Sequence, residues 1–304
     1  MAFAAPLIWA LLLDASFGEP RVVWERLPHP AVLMGRLVAF LDRKLNHQTA
    51  GKLAGLAAVS VLIAVVLAIA GLVSALPYAQ IWTVILASIL LAQRSLVQHV
   101  RAVAEGLDIS LSEGRSKVGQ IVGRDTRDMT QADVARAAIE SAAENLSDGV
   151  VAPVFWFLLA GLPGILVYKV INTADSMIGY RTPKYANFGW AAARLDDVLN
   201  WIPARLTGLL IAGIHGQLRN WPAISAEAKL QRSPNAGWPE AAMARVLNVA
   251  LSGPRSYHGQ RRDFPYVHES GKKQIGAAEI HQAATVLWRI WACLLVTTIL
   301  LALL

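Results

Sequence analysis

Glu140 and Glu144 stand four residues apart, and Arg136 continues the same row. On a helix that spacing puts all three on one face. The row runs into Asn145 and Asp148-Gly149, where an apolar stretch begins. Converging carboxylates there suit Mg²⁺, which takes oxygen ligands and commonly bridges substrate phosphates. A surface ion-pair ladder is the plain alternative. Beyond the apolar stretch, Lys169, Asn172 and Ser176, with Thr173 and Asp175 beside them, make a polar stripe on an apolar helix. Spacings of three and four put them together. A seam between helices would also use such a stripe. The charges on Lys169 and Asp175 make a purely structural seam less economical, because ionised groups are costly near hydrocarbon. On the following helix Asp196 and Asn200 share one face, and Arg194 and Asp197 are a turn apart. Leu195, Val198, Leu199 and Ile202 form its buried stripe, and Pro203 is expected to stop it. A simple Arg194–Asp197 brace is the alternative there.

Ser233-Pro-Asn235-Ala-Gly237-Trp238-Pro239-Glu240 reads as a turn feeding a helix. Free N–H groups at such a start can hold an anion; a plain connecting turn is the other reading. Ser252-Gly253-Pro254-Arg255-Ser256-Tyr257 is a second turn with a well-placed cation. His29 and Arg36 are weak signals singly. His99, His215, His258, His268 and His281 show no zinc spacing, and the one cysteine, Cys293, cannot supply a thiolate cage. Gly114-Arg-Ser-Lys117 does not fit a Walker loop, and there is no Gly-x-Ser-x-Gly elbow.

The elements that must position these groups are mostly greasy. Of 304 residues, 55% are hydrophobic and only 16% charged, and the mean hydropathy is +0.43. Soluble domains carry about a quarter charged residues, so this composition marks an integral membrane protein with polar loops. The net charge of +7 sets topology and touches anionic lipid more readily than it binds nucleic acid. A single cysteine permits no internal disulfide, which fits a reducing, cytoplasmic site. Ala2 to Leu13 lacks a basic start and a cleavage site, and reads as a retained short anchor.

Leu53 to Leu76 and Ile81 to about Val97 are long enough to span, joined by the uncharged Pro77-Tyr78-Ala79-Gln80. The basic residues on either side place their flanks inside. Val32 to Leu45 reads as an amphipathic helix with Leu33, Leu37, Phe40 and Leu41 on its apolar face. Thr130-Gln-Ala-Asp133 is a capping-box-like start, with Asp for the usual Glu, to a helix reaching about Asn145. Val151 to Ile171 carries Gly161-Leu-Pro163-Gly164 at its middle, which argues for a chain reversal. Arg205 to Leu218 is too short to cross comfortably. If neither segment crosses, all polar motifs lie on the cytoplasmic side; if both cross, residues 169 to 204 face outward. Length and the proline-glycine break favour the first. Ala283 to Leu304 is the last span. The expected fold is all-α: one polytopic membrane domain over residues 1–304. It has about four spanning helices, polar loops at 14–52, 98–150 and 219–286, and a re-entrant hairpin at 151–171.

These strings resemble the CobD/CbiB family, membrane synthases of adenosylcobinamide phosphate in cobalamin biosynthesis. The resemblance runs from Leu11-Leu-Leu-Asp14 and Pro28-His-Pro30…Met34-Gly-Arg36 through Val122-Gly-Arg124-Asp125 and Glu140…Glu144-Asn145…Asp148-Gly149. It continues through Tyr168-Lys169…Asn172…Asp175-Ser176-Met177…Gly179-Tyr180-Arg181 and Ala193-Arg194-Leu-Asp196-Asp197…Asn200-Trp201-Ile-Pro203-Ala-Arg205. It closes on Ser233 to Glu240 and Gly253 to Tyr257. Two departures, at Leu146 and at Thr182-Pro183, remove no charged candidate.

The resemblance implies an ATP-dependent, amide-forming ligase. Its substrates would be adenosylcobyric acid and aminopropanol phosphate, and its product adenosylcobinamide phosphate. The corrinoid would be substrate rather than prosthetic group, with ATP and Mg²⁺ supplying activation. Glu140, Glu144, Asp148, Asp175, Asp196 and Asp197 are then the candidate base and acids, with Glu140, Glu144, Asp175 and Asp197 the candidate Mg²⁺ ligands. His29, Arg36, Lys169, Arg181, Arg194 and Arg255 would contact phosphate or carboxylate, and Asn145, Asn172, Asn200 and Asn235 would orient substrate. The place implied is the bacterial cytoplasmic (inner) membrane, active face inward, with the bilayer and other cobalamin-biosynthesis enzymes as partners. Two other classes remain in view: a non-catalytic membrane sensor like the related AmpE family, and a small-molecule transporter.

Overall fold

The computed structural model describes residues 2–47, 51–257 and 260–304; His258 lies outside them. The helices are, in order, α1 (Ala4–Phe17), α2 (Arg21–Trp24), α3 (Pro30–Leu45), α4 (Lys52–Ser74), α5 (Ala79–Leu90), α6 (Gln93–Ile109) and α7 (Leu111–Val118). After them come α8 (Gln131–Leu146), α9 (Ala152–Ile178), α10 (Trp190–Leu199), α11 (Trp201–Ile214), α12 (Trp221–Ala228), α13 (Gly237–Leu247) and α14 (Ala277–Leu303). Four short strands, β1 (Leu251–Ser252), β2 (Arg255–Tyr257), β3 (Gln260–Arg262) and β4 (Tyr266–Val267), form antiparallel pairs β1–β4 and β2–β3. Among the described residues, four helical stretches are long and apolar enough to cross a membrane: Lys52–Ser74, Ala79–Ile109, Gln131–Ile178 and Ala277–Leu303. The protein is thus an all-α polytopic membrane protein. The chain divides into two compact units, one of Met1–Ala92, Ala152–Asn200 and Leu295–Leu304, the other of Gln93–Val151 and Trp201–Leu294.

The first unit is arranged about α9, which is two arms rather than one rod. Ala160 leaves the helical region, and Gly161 takes φ 62°, a conformation open to glycine at little cost. A β-carbon on Gly164 would collide with the Trp156 carbonyl. A straight helix would hold those two residues about 12 Å apart along its axis, so the chain doubles back, as the proline-glycine string predicts. Pro163 sits in the first turn of the second arm, where its missing N–H costs nothing. Gly161 is buried, as non-helical backbone at membrane depth must be. The arms pack against α1, α3, α4, α5 and α10.

Two expectations need correction here. The span expected from Ile81 to Val97 falls within Ala79–Ile109, which is long and apolar enough to cross, but it is not one continuous helix: α5 stops at Leu90, Leu91 turns extended with ψ 154°, and α6 begins at Gln93. α5 alone is roughly 18 Å long, short of the roughly 30 Å hydrocarbon core. In α3 the buried seam is Met34, Val38 and Leu41, while Leu33 and Phe40 are exposed. Of the face expected at Leu33, Leu37, Phe40 and Leu41, Leu41 is buried and Leu37 half-buried as expected, while Leu33 and Phe40 give way to Met34 and Val38. Periodicity cannot distinguish the two, because apolar side chains in a membrane protein need not point at protein.

In the second unit α8 is central. Thr130 and Asp133 make the expected capping box: Thr130 Oγ1 accepts from the Asp133 N–H at 3.2 Å, and Asp133 Oδ2 accepts from the Thr130 N–H at 3.0 Å. Ala135, Ala137, Ala138, Ala142 and Ala143 are fully buried, and their small side chains let α6, α7 and α13 pack against the helix. After Leu146 the helix loosens into a π-helical turn, Ser147–Val151, a form often found at functional sites. The expected loops 98–150 and 219–286 are thus largely ordered helices with short strand pairs. Pro203 is a further correction. Helix α10 ends at Leu199, and Pro203 lies in the first turn of α11, where it begins a helix instead of stopping one.

Candidate functional site

Among the described residues, each unit carries a buried polar network that includes candidate site residues. In the second unit, Glu140 lies on the buried face of α8, 5% exposed. Its Oε2 accepts from Arg124 at 2.9 Å and from Arg255 at 3.2 Å. Its Oε1 accepts from the Ser252 backbone N–H at 2.6 Å. The strand pairs bring Arg255 there: β1 ends at Ser252, Ser252 and Gly253 both take positive φ, and Arg255 then turns back onto Glu140. Arg255 also donates to Ser252 Oγ at 2.8 Å and lies over the Phe264 ring. Glu240, in the first turn of α13, is buried and accepts from Gln231 at 2.7 Å. Burial pushes its carboxyl well above the usual range, and the charges of Glu140 and Glu144 push it further against the pull of Arg255 and Arg124.

In the first unit the network is built from amides. Tyr168 on α9 donates through its hydroxyl to Asn200 Oδ1 at 2.9 Å. Asn200 Nδ2 donates to Asp196 Oδ2 at 3.1 Å, and Asn172 Nδ2 donates to Asp196 Oδ1 at 3.2 Å. Both oxygens of Asp196 are thus held by neutral donors. Burial raises the Asp196 carboxyl, the two amide bonds oppose the rise, and Asp197 adds to it. Asp197 is likewise raised by burial, against Arg194 and then Arg181. Its Arg194 contact, 3.7 Å, is loose and exposed.

The remaining candidates are placed as follows. His29 caps α3: its Nδ1 accepts from the Ala31 N–H at 3.1 Å, and its ring meets Trp24 edge-on. Burial lowers its pKa, Glu19 opposes that, and Lys169 adds to it. Arg36 and Arg181 are exposed. The Lys169 carbonyl accepts from Thr173 Oγ1 at 2.7 Å. The Asp175 carboxylate lies over Gly179, where a β-carbon would collide with it. Asn145 is exposed and bends back to Ser141 O at 2.9 Å. Glu144 is exposed and Asp148, in the π-helical turn, half-buried. Asn235 is buried, its N–H on Ser233 Oγ and its Oδ1 near Arg205.

The donor set does not build a resident metal cage. Among the described residues, no three of His, Cys, Asp and Glu converge to hold an ion. Glu140, one of the expected Mg²⁺ ligands, has both oxygens committed to arginine and amide donors, which suits an anchor better than a ligand.

The sequence matches the family described as CobD/Cbib protein over residues 7–287, a range covering nearly all of both units. It is 46% identical over 296 residues to the Cobalamin biosynthesis protein CobD of Brucella suis biovar 1, covering 92% of this chain and 90% of that one. The same-named protein of Sinorhizobium fredii is 43% identical over 299 residues, covering 93% and 92%. That of Rhodobacter capsulatus is 45% identical over 285 residues, covering 88% of each. The chain belongs to the CobD/CbiB family. No solved structure matches it.

Within this CobD/CbiB chain, sequence reasoning missed Arg124, Tyr168, Glu240 and Ser252. Tyr168 was within reach of a spacing argument, because residues 168 and 172, like 196 and 200, are a helical turn apart. The stripe through Lys169, Asn172 and Ser176 brings Asn172 into this network. Arg124 and Ser252 carried no such signal, since loops and a strand turn bring them to Glu140. Arg136 shares the α8 row of Glu140 and Glu144 but has other partners. It pairs with Asp133 at 2.9 Å and donates to the carbonyls of Ala250 and Lys273. Arg136 and Glu140 are buried, which rules out a surface ladder.

Proposed function

We propose that this CobD/CbiB protein acts in cobalamin biosynthesis as an ATP-dependent, amide-forming ligase. It joins a free carboxylate of adenosylcobyric acid to the amine of aminopropanol phosphate, giving adenosylcobinamide phosphate. The observation that carries this reading is the family match over residues 7–287, together with relatives named for cobalamin biosynthesis. Glu140, Arg255 and Asp196, among its charged candidates, are held in ordered networks.

The corrinoid carboxylate attacks the γ-phosphorus of ATP, ADP leaves, and an acyl phosphate results. The amine attacks the acyl carbon, and inorganic phosphate leaves as the amide forms. Arg124 and Arg255 are cations fixed by Glu140, suited to spreading the charge of a transferring phosphoryl group. Mg²⁺ would arrive with ATP, held mainly by phosphate and water oxygens, as this ion commonly is. The amine is an ammonium at neutral pH and must lose a proton before attack. Asp197 serves as that base: burial raises its pKa towards neutrality, where a general base works best. Asn172 and Asn200 hold Asp196 in one orientation. The active face is cytoplasmic, in a bacterial inner membrane, where ATP is supplied.

The test is product formation by the purified protein in detergent, given adenosylcobyric acid, aminopropanol phosphate, ATP and Mg²⁺, followed by mass spectrometry. Product should require all four components. Asp197→Ala and Lys169→Ala should each abolish it while leaving the protein folded and membrane-inserted. Folded, corrinoid-binding protein that makes no product would reject the ligase and leave a sensor or transporter.

A further inference from the structure

Arg124, Arg136, Arg245 and Arg255 in the second unit each hold a carboxylate. Arg205, on α11, holds none among the described residues. Its guanidinium lies between two indoles, 4.3 Å from the Trp201 ring centroid and 4.7 Å from that of Trp238. Its Nη1 donates to the Trp201 carbonyl at 2.6 Å and reaches Asn235 Oδ1 at 3.4 Å. Nε and Nη2 donate to nothing among the described residues, and neither is buried. The group is therefore clamped, charged and open on one edge.

An arginine that only anchored a chain would not need this arrangement. Stacking removes the rotamer freedom of a long side chain before any ligand arrives, and binding then loses less entropy. The free edge is a planar fork of N–H donors, which matches two oxygens of a phosphate or carboxylate. Around it the structure is stiff. Trp238 packs against Trp221, the ring planes 31° apart, and donates through Nε1 to the Pro234 carbonyl at 3.2 Å. The N–H groups of Asn235 and Ala236 both donate to Ser233 Oγ, which fixes the turn carrying Asn235.

We propose that Arg205, held between Trp201 and Trp238, is a binding residue for the oxyanion of a phosphate ester. Two sources carry that chemistry: a soluble phosphorylated ligand and a phospholipid headgroup. Assignment to aminopropanol phosphate rests on the reaction proposed above; the phosphate site itself does not. Arginine and tryptophan are also common at membrane interfaces, which makes the headgroup the competing source.

The test uses the full chain and reads binding, so it stands whether or not the protein makes amide. Inorganic phosphate, aminopropanol phosphate and unphosphorylated aminopropanol are titrated calorimetrically into wild type and Arg205→Lys in detergent. Lysine keeps the charge but loses the planar fork. For a soluble source, both phosphate probes should bind roughly tenfold or more weakly to Arg205→Lys, with aminopropanol unchanged. For a lipid source, the titrations should agree, while native mass spectrometry from phosphatidylglycerol nanodiscs should show fewer retained lipids on Arg205→Lys. Equal behaviour in both arms would overturn the proposal. Should Arg205→Lys fail to fold, Trp201→Leu replaces it. Trp201 is 54% exposed, so its loss frees one face of the guanidinium without opening a core. The same pattern at smaller amplitude is expected, and its absence from both arms overturns the site.

Discussion

Glu140 and Asp196 are both acids in buried networks, and they are held in opposite ways. Glu140 sits between two guanidinium groups and a backbone N–H. Its charge is compensated, and its neighbours would be stranded without it. Asp196 is held by two amides and, through Asn200, by the Tyr168 hydroxyl. These donors orient the carboxylate but bring no positive charge, so burial raises its pKa. The first arrangement offsets the acid's charge with two cations. The second fixes geometry and leaves the carboxyl raised by burial. A buried cation pair is costly to break, whereas an amide network loses one hydrogen bond at a time.

The sharpest way to break this comparison is Glu140→Gln. It leaves Arg124 and Arg255 buried without their anion, and removing one member of a buried ion pair costs about 3–5 kcal/mol. We expect a large fall in thermal unfolding temperature in detergent and no ligase product; a small fall would mean that water already compensates the arginines. Asp196→Asn comes next. The new amide cannot accept from both Asn172 and Asn200, so one donor is left facing another, at about 1–3 kcal/mol. If denaturant unfolding shows Asp196→Asn to cost as much as Glu140→Gln, the two sites are not different in kind. Tyr168→Phe removes one hydroxyl and should cost about 1 kcal/mol, with turnover reduced less than in Asp196→Asn.

Glu240→Gln should have the smallest effect and the most informative pH dependence. The folded pKa of Glu240 lies above its unfolded value. Its contribution to stability is therefore fully present below the ordinary glutamate range and is lost as pH rises through the raised value. Glutamine mimics the protonated acid. The variant should match wild type at low pH and keep its melting temperature better as pH rises. Parallel melting profiles from pH 4 to 9 would show that Glu240 is ionised in the fold.

Features that depend on a few adjacent residues were legible in advance. The Thr130–Asp133 cap follows from one hydroxyl and one carboxylate three residues apart. The reversal in α9 follows from Gly161, Pro163 and Gly164, which cannot continue a helix together. The break at Leu91 was not legible, because neither proline nor glycine marks it. Pro203 misled for a related reason: proline suits the first turn of a helix as well as the end of the one before.

Composition and motif strings alone determined that the chain is an all-α membrane protein of this family, and that its acids, amides and arginines are the groups to watch. Those conclusions rest on hydropathy, helical period and residue identity, all carried by the chain itself. The pairing of those groups was decided only by tertiary structure. Arg124 reaches Glu140 across a loop, and Arg255 reaches it because a two-residue strand and a positive-φ turn reverse the chain. Asn172 and Asp196 meet because α9 and α10 pack together. Spacing along one helix says which residues share its face, but not what is packed against that face. Spacing makes Arg136 and Glu140 neighbours on one face of α8, and only the fold gives Glu140 two distant arginines and sends Arg136 to Asp133.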